Sequence, residues 1–231
     1  MGNGKWAFAT HPVKWALRTW PYNLDDGEPA AVYILAGKYK GRKLLSPPTE
    51  SVTRPITGAV KKSLFGMLGV RVEDAVVVDL FCGTGTMGLE ALSQGARACW
   101  FGEADRRVID RLRRNIETFG AAGESTIWPG DVTNGLDGRL ESIGSPVDLA
   151  FVDPPYETAR EWNWRVVADT IFFPLYKHLA EEGLVVLRLP QDVTLGEDMG
   201  GLVVERMRQY GKMVLALLGK SKADQAGPGI V

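Results

Sequence analysis

Four consecutive residues carry the strongest chemical signal in this sequence: Asp153-Pro154-Pro155-Tyr156. They follow an apolar run at 147–152, which predicts a buried strand. The two prolines stiffen the loop, so that the Asp153 carboxylate and the Pro154 carbonyl face one point as acceptors. An exocyclic amine that donates both N–H groups to them directs its lone pair at an electrophile. Tyr156 offers a flat face for a base, worth about 1–3 kcal/mol of stacking. Taken alone, the loop is also compatible with a plain turn.

A glycine-rich loop precedes this motif and predicts a nucleotide-like ligand. Gly83, Gly85 and Gly88 form a GxGxxG pattern after a strand and before a helix. Glu103 ends the next predicted strand about 20 residues later, where a carboxylate accepts ribose hydroxyls. These residues fit a dinucleotide site as well as any other. The whole predicted cofactor-binding set is Asp79, Phe81, Gly83, Thr84, Gly85, Glu103, Ala104, Asp131 and Val132.

Two carboxylates in this set favour S-adenosylmethionine over NAD. Asp79 lies within an apolar strand, and burying a carboxylate costs several kcal/mol unless it is paired or hydrogen-bonded. It is expected to receive loop amides or a ligand ammonium, which S-adenosylmethionine offers, whereas the pyrophosphate of NAD would be repelled. Asp131 is placed to accept the adenine amino group. The structural alternatives are a purely structural Asp79 and a turn or helix-cap role for Asp131.

The hydrophobic pattern from residue 75 onward predicts an α/β fold with a mostly parallel sheet. Apolar strands alternate with amphipathic helices, which places helices on both faces of the sheet. The last two β-like runs suggest an antiparallel hairpin. The region at 158–181 is predicted as helical, with a break near Pro174. The predicted strands are 75–81, 98–102, 125–128, 147–152, 184–189, 202–208 and 212–218, and the predicted helices are 58–69, 86–94, 105–119 and 134–142.

The first 69 residues differ in charge from the rest of the chain. They carry ten Lys and Arg against four acidic residues, a net charge of +6, while the remainder carries −7. This asymmetry predicts a polyanion-binding part attached to a chemical module. A strand at 31–36 followed by a Gly-bounded basic turn at 37–43 is typical of a hairpin. The predicted phosphate contacts are Lys38, Lys40, Arg42, Lys43, Arg54, Lys61 and Lys62, with a solvated charged face as the alternative.

These motifs together resemble the class I S-adenosylmethionine-dependent methyltransferases that have an (N/D)PP(Y/F) motif. The closer resemblance is to the bacterial RsmD family, which methylates guanine N2 in 16S ribosomal RNA. It extends from about Tyr33 to Leu218 and includes the basic turn, the segment at 54–57, the block at 79–96, Glu103-Ala104-Asp105 and Asp153–Tyr156. The sequence departs from the family at 58–62, Gly-Ala-Val-Lys-Lys, where the family usually has Asp-Arg-Val-Arg-Glu.

The resemblance implies a Rossmann-like seven-stranded fold, S-adenosylmethionine as the cofactor, and 16S rRNA within a small ribosomal subunit as the partner of a monomeric enzyme. Asp153, Pro154, Pro155 and Tyr156 would be catalytic. Three alternatives stay open: the same chemistry on a DNA adenine, another RNA base or a protein amide; a non-catalytic RNA-binding module; and an NAD-type protein. The implied division of the chain is an N-terminal extension at 1–30, an RNA-binding extension at 31–70, a methyltransferase domain at 71–219 and a tail at 220–231.

Composition and cysteine usage are consistent with a cytoplasmic enzyme. The chain has 231 residues, of which 45% are hydrophobic and 24% are charged, as in ordinary globular proteins. No apolar run is long enough for a membrane span. Only two cysteines occur, Cys82 and Cys99, without metal-ligand spacing, so two buried thiols are expected. Trp162 and Trp164 are expected to pack in the core rather than to contact RNA.

Overall fold

The strands and helices observed in the computed structural model follow the predicted alternation. The structure describes residues 31–46 and 56–221, so residues 1–30 and the tail from 222, together with Arg54, lie outside the described residues. The helices are α1 Gly58–Leu68, α2 Thr86–Ser93, α3 Arg106–Phe119, α4 Leu136–Glu141, α5 Tyr156–Glu161, α6 Trp164–Val167 and α7 Phe173–His178. The strands are β1 Val76–Leu80, β2 Ala98–Glu103, β3 Ser125–Pro129, β4 Val147–Val152, β5 Leu179–Pro190, β6 Leu202–Tyr210 and β7 Met213–Lys220.

The described strands form one seven-stranded sheet in the order β3-β2-β1-β4-β5-β7-β6. Strands β1 to β5 pair in parallel, and β7 is antiparallel to both β5 and β6. The strand order reverses between β1 and β4, because β2 and β3 extend the sheet on one side and β4 and β5 on the other. Ligands of such sheets bind at the carboxyl ends of the strands beside this point. The predicted fold class is confirmed, including the C-terminal hairpin.

Apolar residues cover both faces of the sheet, as the continuous apolar strands predict. One cluster joins α1, α2 and α3 to the sheet through residues such as Leu64, Leu89 and Leu112. The other joins α4 and α7 to the opposite face through residues such as Leu140 and Leu175. Because both clusters contain β1 and β4 residues, the two central strands are fully enclosed and their ends are held rigidly.

The segment at 31–46 forms a hairpin-like turn that packs on α2, but the strand predicted at 31–36 is present only as an isolated bridge, and Gly37–Tyr39 forms a 3-10 turn. Tyr33 bridges Lys43, and the Ile34 and Leu44 amides donate to the Arg42 and Val32 carbonyls. Gly37 has a φ of +78°, and a Cβ atom there would lie 1.6 Å from the Ser93 carbonyl oxygen. A side chain at this position would therefore push the hairpin away from α2.

A buried ion pair ties the hairpin, α1 and α2 together. The Lys61 ammonium on α1 lies 2.7 Å from Glu90 Oε2 on α2 and donates to the Tyr33 carbonyl oxygen, also at 2.7 Å. Glu90 accepts further hydrogen bonds from the Leu35 and Ala36 amides. Burial lowers the pKa of Lys61, and the Glu90 carboxylate opposes that shift. The prediction that Lys61 contacts RNA is therefore wrong in this structure: the side chain is 2% exposed and its charge is used inside the protein.

The region after β4 departs from the prediction in two respects: the helical stretch breaks at a different place, and it ends at His178 because β5 begins at Leu179 rather than at residue 184. The helical stretch breaks at Trp162 and Asn163, between α5 and α6, and Asn163 caps α6 by accepting from the Val166 amide. Pro174 does not break the helix, because it stands in the first turn of α7, where the missing N–H has no helical partner to lose. A π-helical turn at Ala168–Phe172 connects α6 to α7.

Both cysteines are buried and unpaired, as expected. Burial raises the pKa of both thiols well above the ordinary value. Within residues 31–46 and 56–221, no helix is long and apolar enough to cross a membrane.

Removing the Lys61 charge is expected to destabilise the fold. Lys61→Ala should lower the free energy of unfolding by about 3–5 kcal/mol, because it leaves the Glu90 carboxylate buried without its cation. The matched control is Lys62→Ala, the neighbouring exposed lysine of α1, which should change the free energy by less than about 0.5 kcal/mol. Urea titration measures both values, and equal stability of the two variants would contradict the assignment.

Candidate active site

Asp79 lies near the carboxyl end of β1, at the switch point of the sheet. Its side chain is almost fully buried, its Oδ2 accepts the Gly88 amide at 2.8 Å, and its Oδ1 has no hydrogen-bond partner among the described residues. Burial raises the pKa of Asp79 to about 8. The hydrogen bond from the Gly88 amide opposes this shift, and the negative charges of Asp153 and Glu103 add to it. A buried carboxylate oxygen without a donor is a fit for a ligand ammonium. The observation therefore agrees with S-adenosylmethionine.

The loop after β1 has the backbone geometry that its sequence predicts. Phe81, Gly83 and Gly85 have φ values of 59°, 57° and 87°, so the chain turns through left-handed conformations three times. A Cβ atom at Gly88 would lie 2.3 Å from Phe101 Cε1, which explains why α2 needs a glycine to pack on β2. No described atom lies within 4 Å of a Cβ built at Gly83. The loop therefore leaves open space at Gly83 and none at Gly88.

Glu103 ends β2 and fixes the glycine loop. Its Oε2 accepts the Gly83 amide at 3.0 Å, and its Oε1 accepts the Ala104 and Asp105 amides at 2.8 and 2.9 Å. A carboxylate has about four acceptor positions, so Glu103 retains acceptor capacity for ribose hydroxyls. The structure thus brings Glu103 next to Gly83, as the spacing predicts.

The remaining predicted cofactor residues divide into exposed and structural ones. Asp131 is exposed after β3 and accepts from the Thr133 amide and hydroxyl, which is the turn role that the alternative expected. Val132 is 2% exposed and packs on Gly102. Thr84 is buried, and its carbonyl oxygen accepts the Asn115 side-chain amide at 2.9 Å. An adenine contact through Asp131 therefore stays a prediction.

The Asp153–Tyr156 loop follows β4, the direct neighbour of β1. The Asp153 amide donates to the Leu80 carbonyl oxygen at 3.3 Å, which fixes the start of the loop beside the glycine loop. Pro155 caps α5, which begins at Tyr156. The structure therefore places the predicted acceptor loop and the predicted cofactor loop at one edge of the sheet.

Arg188 is a site residue that the sequence analysis missed. It lies on β5, is 6% exposed, and its Nε donates to Asp153 Oδ1. Its guanidinium carbon lies 5.5 Å from the centre of the Tyr156 ring. The available signal was a charged residue inside the apolar run Leu-Val-Val-Leu-Arg-Leu at 184–189, by the same reasoning that singled out Asp79.

A group of aromatic side chains lies behind the two loops. The ring centres of Phe81 and Trp162 lie 6.3 Å apart, and those of Trp162 and Trp164 lie 5.4 Å apart in an edge-to-face arrangement. Both tryptophans are partly buried against the core that contains Phe172. This supports the core-packing interpretation of Trp162 and Trp164.

The predicted RNA-binding cations have different environments. Lys38 pairs with Glu124 at 2.6 Å, and Arg42 donates to the Thr118 carbonyl oxygen and lies over the Phe119 ring at 4.6 Å. These two side chains attach the hairpin to the end of α3. Lys40, Lys43 and Lys62 are exposed. Within residues 31–46 and 56–221, these three lysines of the predicted set have no such contact to the body of the protein.

Comparison with known proteins gives a consistent picture. A family model described as Conserved hypothetical protein 95 matches residues 32–219. The chain is 30% identical over 187 residues to the Bacillus subtilis protein YlbH, which has a provisional rRNA methyltransferase name, covering 81% of this chain and 98% of YlbH. It is 36% identical over 125 residues to ribosomal RNA small subunit methyltransferase D of Escherichia coli K12, covering 54% and 60% of the two chains. The solved Escherichia coli structure of yhhF, provisionally named a methyltransferase, superposes with a TM-score of 0.66 at 28% identity, covering 83% and 98%.

The pKa of Asp79 predicts opposite effects of one substitution on stability and on cofactor binding. The folded protein holds this proton up to about pH 8, whereas an unfolded carboxyl loses it near 3.8, so stability declines as pH rises between these values. Asp79→Asn has a side-chain oxygen that can still accept the Gly88 amide. Its free energy of unfolding should exceed that of the wild type by more than about 1 kcal/mol at pH 8 and equal it at pH 4. It should also bind S-adenosylmethionine at least about tenfold more weakly at pH 8.

Chemical denaturation at the two pH values and calorimetric titration with S-adenosylmethionine measure these effects. Asp131→Asn, an exposed carboxylate of the same loop edge, is the control and should leave stability unchanged at both pH values. Wild-type affinity in Asp79→Asn would show that Asp79 does not receive the ammonium.

Proposed function

Because the chain belongs to the family described as Conserved hypothetical protein 95, the RsmD-type methyltransferases, we propose that it methylates the exocyclic N2 of a guanine in small-subunit ribosomal RNA. The methyl donor is S-adenosylmethionine. The relatives reported above are named as rRNA methyltransferases, and the ribosomal RNA in their names is the basis for proposing an RNA acceptor.

The observation that carries the proposal is the adjacency of Asp79 and Asp153. Asp79 lies in β1 and Asp153 directly follows β4, and these two strands are neighbours in the sheet. The Asp153 amide donates to the carbonyl oxygen of Leu80, the residue after Asp79. A donor held at Asp79 and an amine held at Asp153 would therefore meet at one edge of the sheet. Simple RNA binding would not require either buried carboxylate, which speaks against a non-catalytic module.

The residues of this chain that would hold the donor are Asp79, the backbone around Gly83–Gly85, Glu103 and Asp131. Bound S-adenosylmethionine supplies an electrophilic methyl group. The open oxygen of Asp79 would accept the ammonium, and Glu103 would accept ribose hydroxyls. An NAD-type ligand fits less well, because its pyrophosphate would face the Asp79 carboxylate.

Asp153 and Pro154 would orient the acceptor. The Asp153 carboxylate and the Pro154 carbonyl each accept one N–H of the amine, which frees the nitrogen lone pair for in-line attack. Tyr156 would stack on the base after it is splayed out, which is least costly in an RNA loop. No strong general base is required, because the nitrogen can lose its proton after methylation. Positioning then supplies most of the rate.

The RNA partner would be 16S rRNA within a small ribosomal subunit. Lys40, Lys43 and Lys62 are exposed lysines in the described part of the basic N-terminal region, and they would contact phosphates without reading sequence. That the enzyme acts as a monomer in the cytoplasm stays a prediction, as does the division of the chain at residues 30, 70 and 219.

Transfer of a labelled methyl group tests the proposed function. The acceptors are small subunits from a strain without the family enzyme, free 16S rRNA, DNA and protein, followed by identification of the labelled nucleoside. Label in N2-methylguanosine from the subunits is expected. Label in N6-methyladenine or in protein would replace the proposed acceptor, and no label with intact cofactor binding would reject the activity on all four.

Asp153→Ala should reduce methyl transfer by at least about 100-fold, since it removes the acceptor that orients the amine. Binding of S-adenosylmethionine should stay within about threefold of the wild type, because Asp153 lies on the acceptor side. The matched control is Asp192→Ala, which removes an exposed carboxylate paired with Arg160 and should leave transfer unchanged. Single-turnover kinetics and calorimetry measure both effects, and wild-type turnover of Asp153→Ala would contradict the mechanism.

The triple variant Lys40→Ala, Lys43→Ala, Lys62→Ala should weaken RNA binding and flatten its salt dependence. The slope of log K against log salt is negative, and each lost phosphate contact reduces its magnitude by about 0.7–0.9. Lys177→Ala removes an exposed lysine paired with Asp137 and should leave the slope unchanged. Fluorescence titration at several salt concentrations provides the slopes, and identical slopes for the triple variant and the wild type would show that these lysines do not contact phosphates.

A further inference from the structure

Arg188 brings a charge into an apolar part of the sheet. It is 6% exposed, and its surroundings include Ile56, Leu64 and Met87 from the α1 and α2 side and Leu215 from β7. A buried guanidinium costs several kcal/mol unless it is paired and hydrogen-bonded. An apolar side chain at this position would fill the same space without that cost. The presence of arginine therefore requires a reason at the site it contacts.

The contacts of Arg188 are with the catalytic loop. Its Nε donates to Asp153 Oδ1, and its guanidinium lies 5.5 Å from the centre of the Tyr156 ring. One side chain on β5 thus contacts both the residue proposed to orient the amine and the residue proposed to stack on the base. Because β5 is packed on both faces, Arg188 is a rigid support for this loop, in addition to its two prolines and the bond from the Asp153 amide to the Leu80 carbonyl oxygen.

Asp153 needs such a cation for an electrostatic reason. An ionised carboxylate accepts N–H groups at both oxygens, whereas a protonated one exposes a donor. Burial raises the pKa of Asp153, and Arg188 opposes this shift. Asp79 on β1 carries a like charge when ionised, and the facing residues of α1, α2 and β7 are the apolar Leu64, Met87 and Leu215. Among these neighbours, Arg188 is the group that favours the anion.

We propose that Arg188 is a positioning residue for methyl transfer, which holds the Asp153 carboxylate ionised and oriented toward the target amine. This inference rests on the proposed function. It assigns a role on β5 to the acceptor side of the reaction, in addition to the loop after β4. Arg188 itself acts through Asp153 and takes no part in the transfer of the methyl group.

The test compares three substitutions at this position. Arg188→Met keeps the length without charge or donor, Arg188→Gln keeps an N–H donor without charge, and Arg188→Lys keeps the charge. Methyl transfer is measured from pH 6 to pH 9 with saturating S-adenosylmethionine, so that the ionisation of Asp79 does not limit the rate. Lys177→Met, which removes the exposed partner of Asp137, is the control.

In the Met and Gln variants, the acidic limb of the pH profile should move up by about one pH unit or more, the effect of removing an adjacent opposite charge. At pH values below this limb, methyl transfer by these variants should be at least about tenfold slower than by the wild type, and it should recover at high pH. The Lys variant should keep the limb within about half a unit of the wild type. The KM for S-adenosylmethionine should stay within about threefold, and the control should match the wild type throughout.

Two outcomes would overturn the inference. A loss by the same factor at every pH in the Met and Gln variants would mean that Arg188 only supports the fold, and an unchanged profile would mean that it has no role in the reaction. If Arg188→Met does not fold, as thermal unfolding would show, the comparison of Gln with Lys decides alone. Failure of the wild type to transfer methyl groups to RNA would instead reject the proposed function, so the two failures are distinguishable.

Discussion

Glu90 is the buried carboxylate on which the arrangement of the N-terminal elements depends. It lies on α2 and receives the Leu35 and Ala36 amides of the hairpin and the Lys61 ammonium of α1. The same helix provides the Gly88 amide that holds Asp79. A charge at this depth is tolerated only when all its donors are present. The hairpin, α1 and the cofactor edge of the sheet are therefore coupled through one short helix.

The site contains two acidic residues, Asp79 in β1 and Asp153 directly after the neighbouring β4, and their surroundings differ. Asp79 has one oxygen on a backbone amide and the other without a donor, so its uncompensated burial favours the proton until a cation arrives. Asp153 has a permanent cation in Arg188. Separate environments of this kind allow adjacent acids to do different work, one binding a ligand and the other orienting a nucleophile.

The sequence predicted the elements around the site with good accuracy where a local rule applied. The strand at 147–152 and the start of α1 at residue 58 were predicted correctly, because a strand buried on both faces and an amphipathic helix leave local patterns. The Asp79, Gly83 and Glu103 contacts also follow from spacing along two adjacent strands.

The missed contacts of the buried charges are long-range pairings. Lys61 forms an ion pair with Glu90, 29 residues away, and Arg188 forms one with Asp153, 35 residues away. Neither partner can be identified from helical or strand periodicity. Lys38 and Arg42 likewise have partners far along the chain, since Lys38 pairs with Glu124 and Arg42 donates to the Thr118 carbonyl oxygen, and their contact with RNA stays a prediction. A cation in a basic run has the same sequence signature whether it contacts phosphate or the protein itself.

The two thiols also provide a measure of motion at the cofactor edge. Cys82 lies in the loop after β1, and the Cys99 sulfur would lie 2.6 Å from a Cβ atom at Gly88, so both are covered by the segment that would hold the donor. Burial disfavours both thiolates, so we expect both thiols to react slowly while this segment covers them. Their rate of alkylation therefore reports how often the loop and the start of α2 separate from the sheet, in the unmodified protein and without an added label.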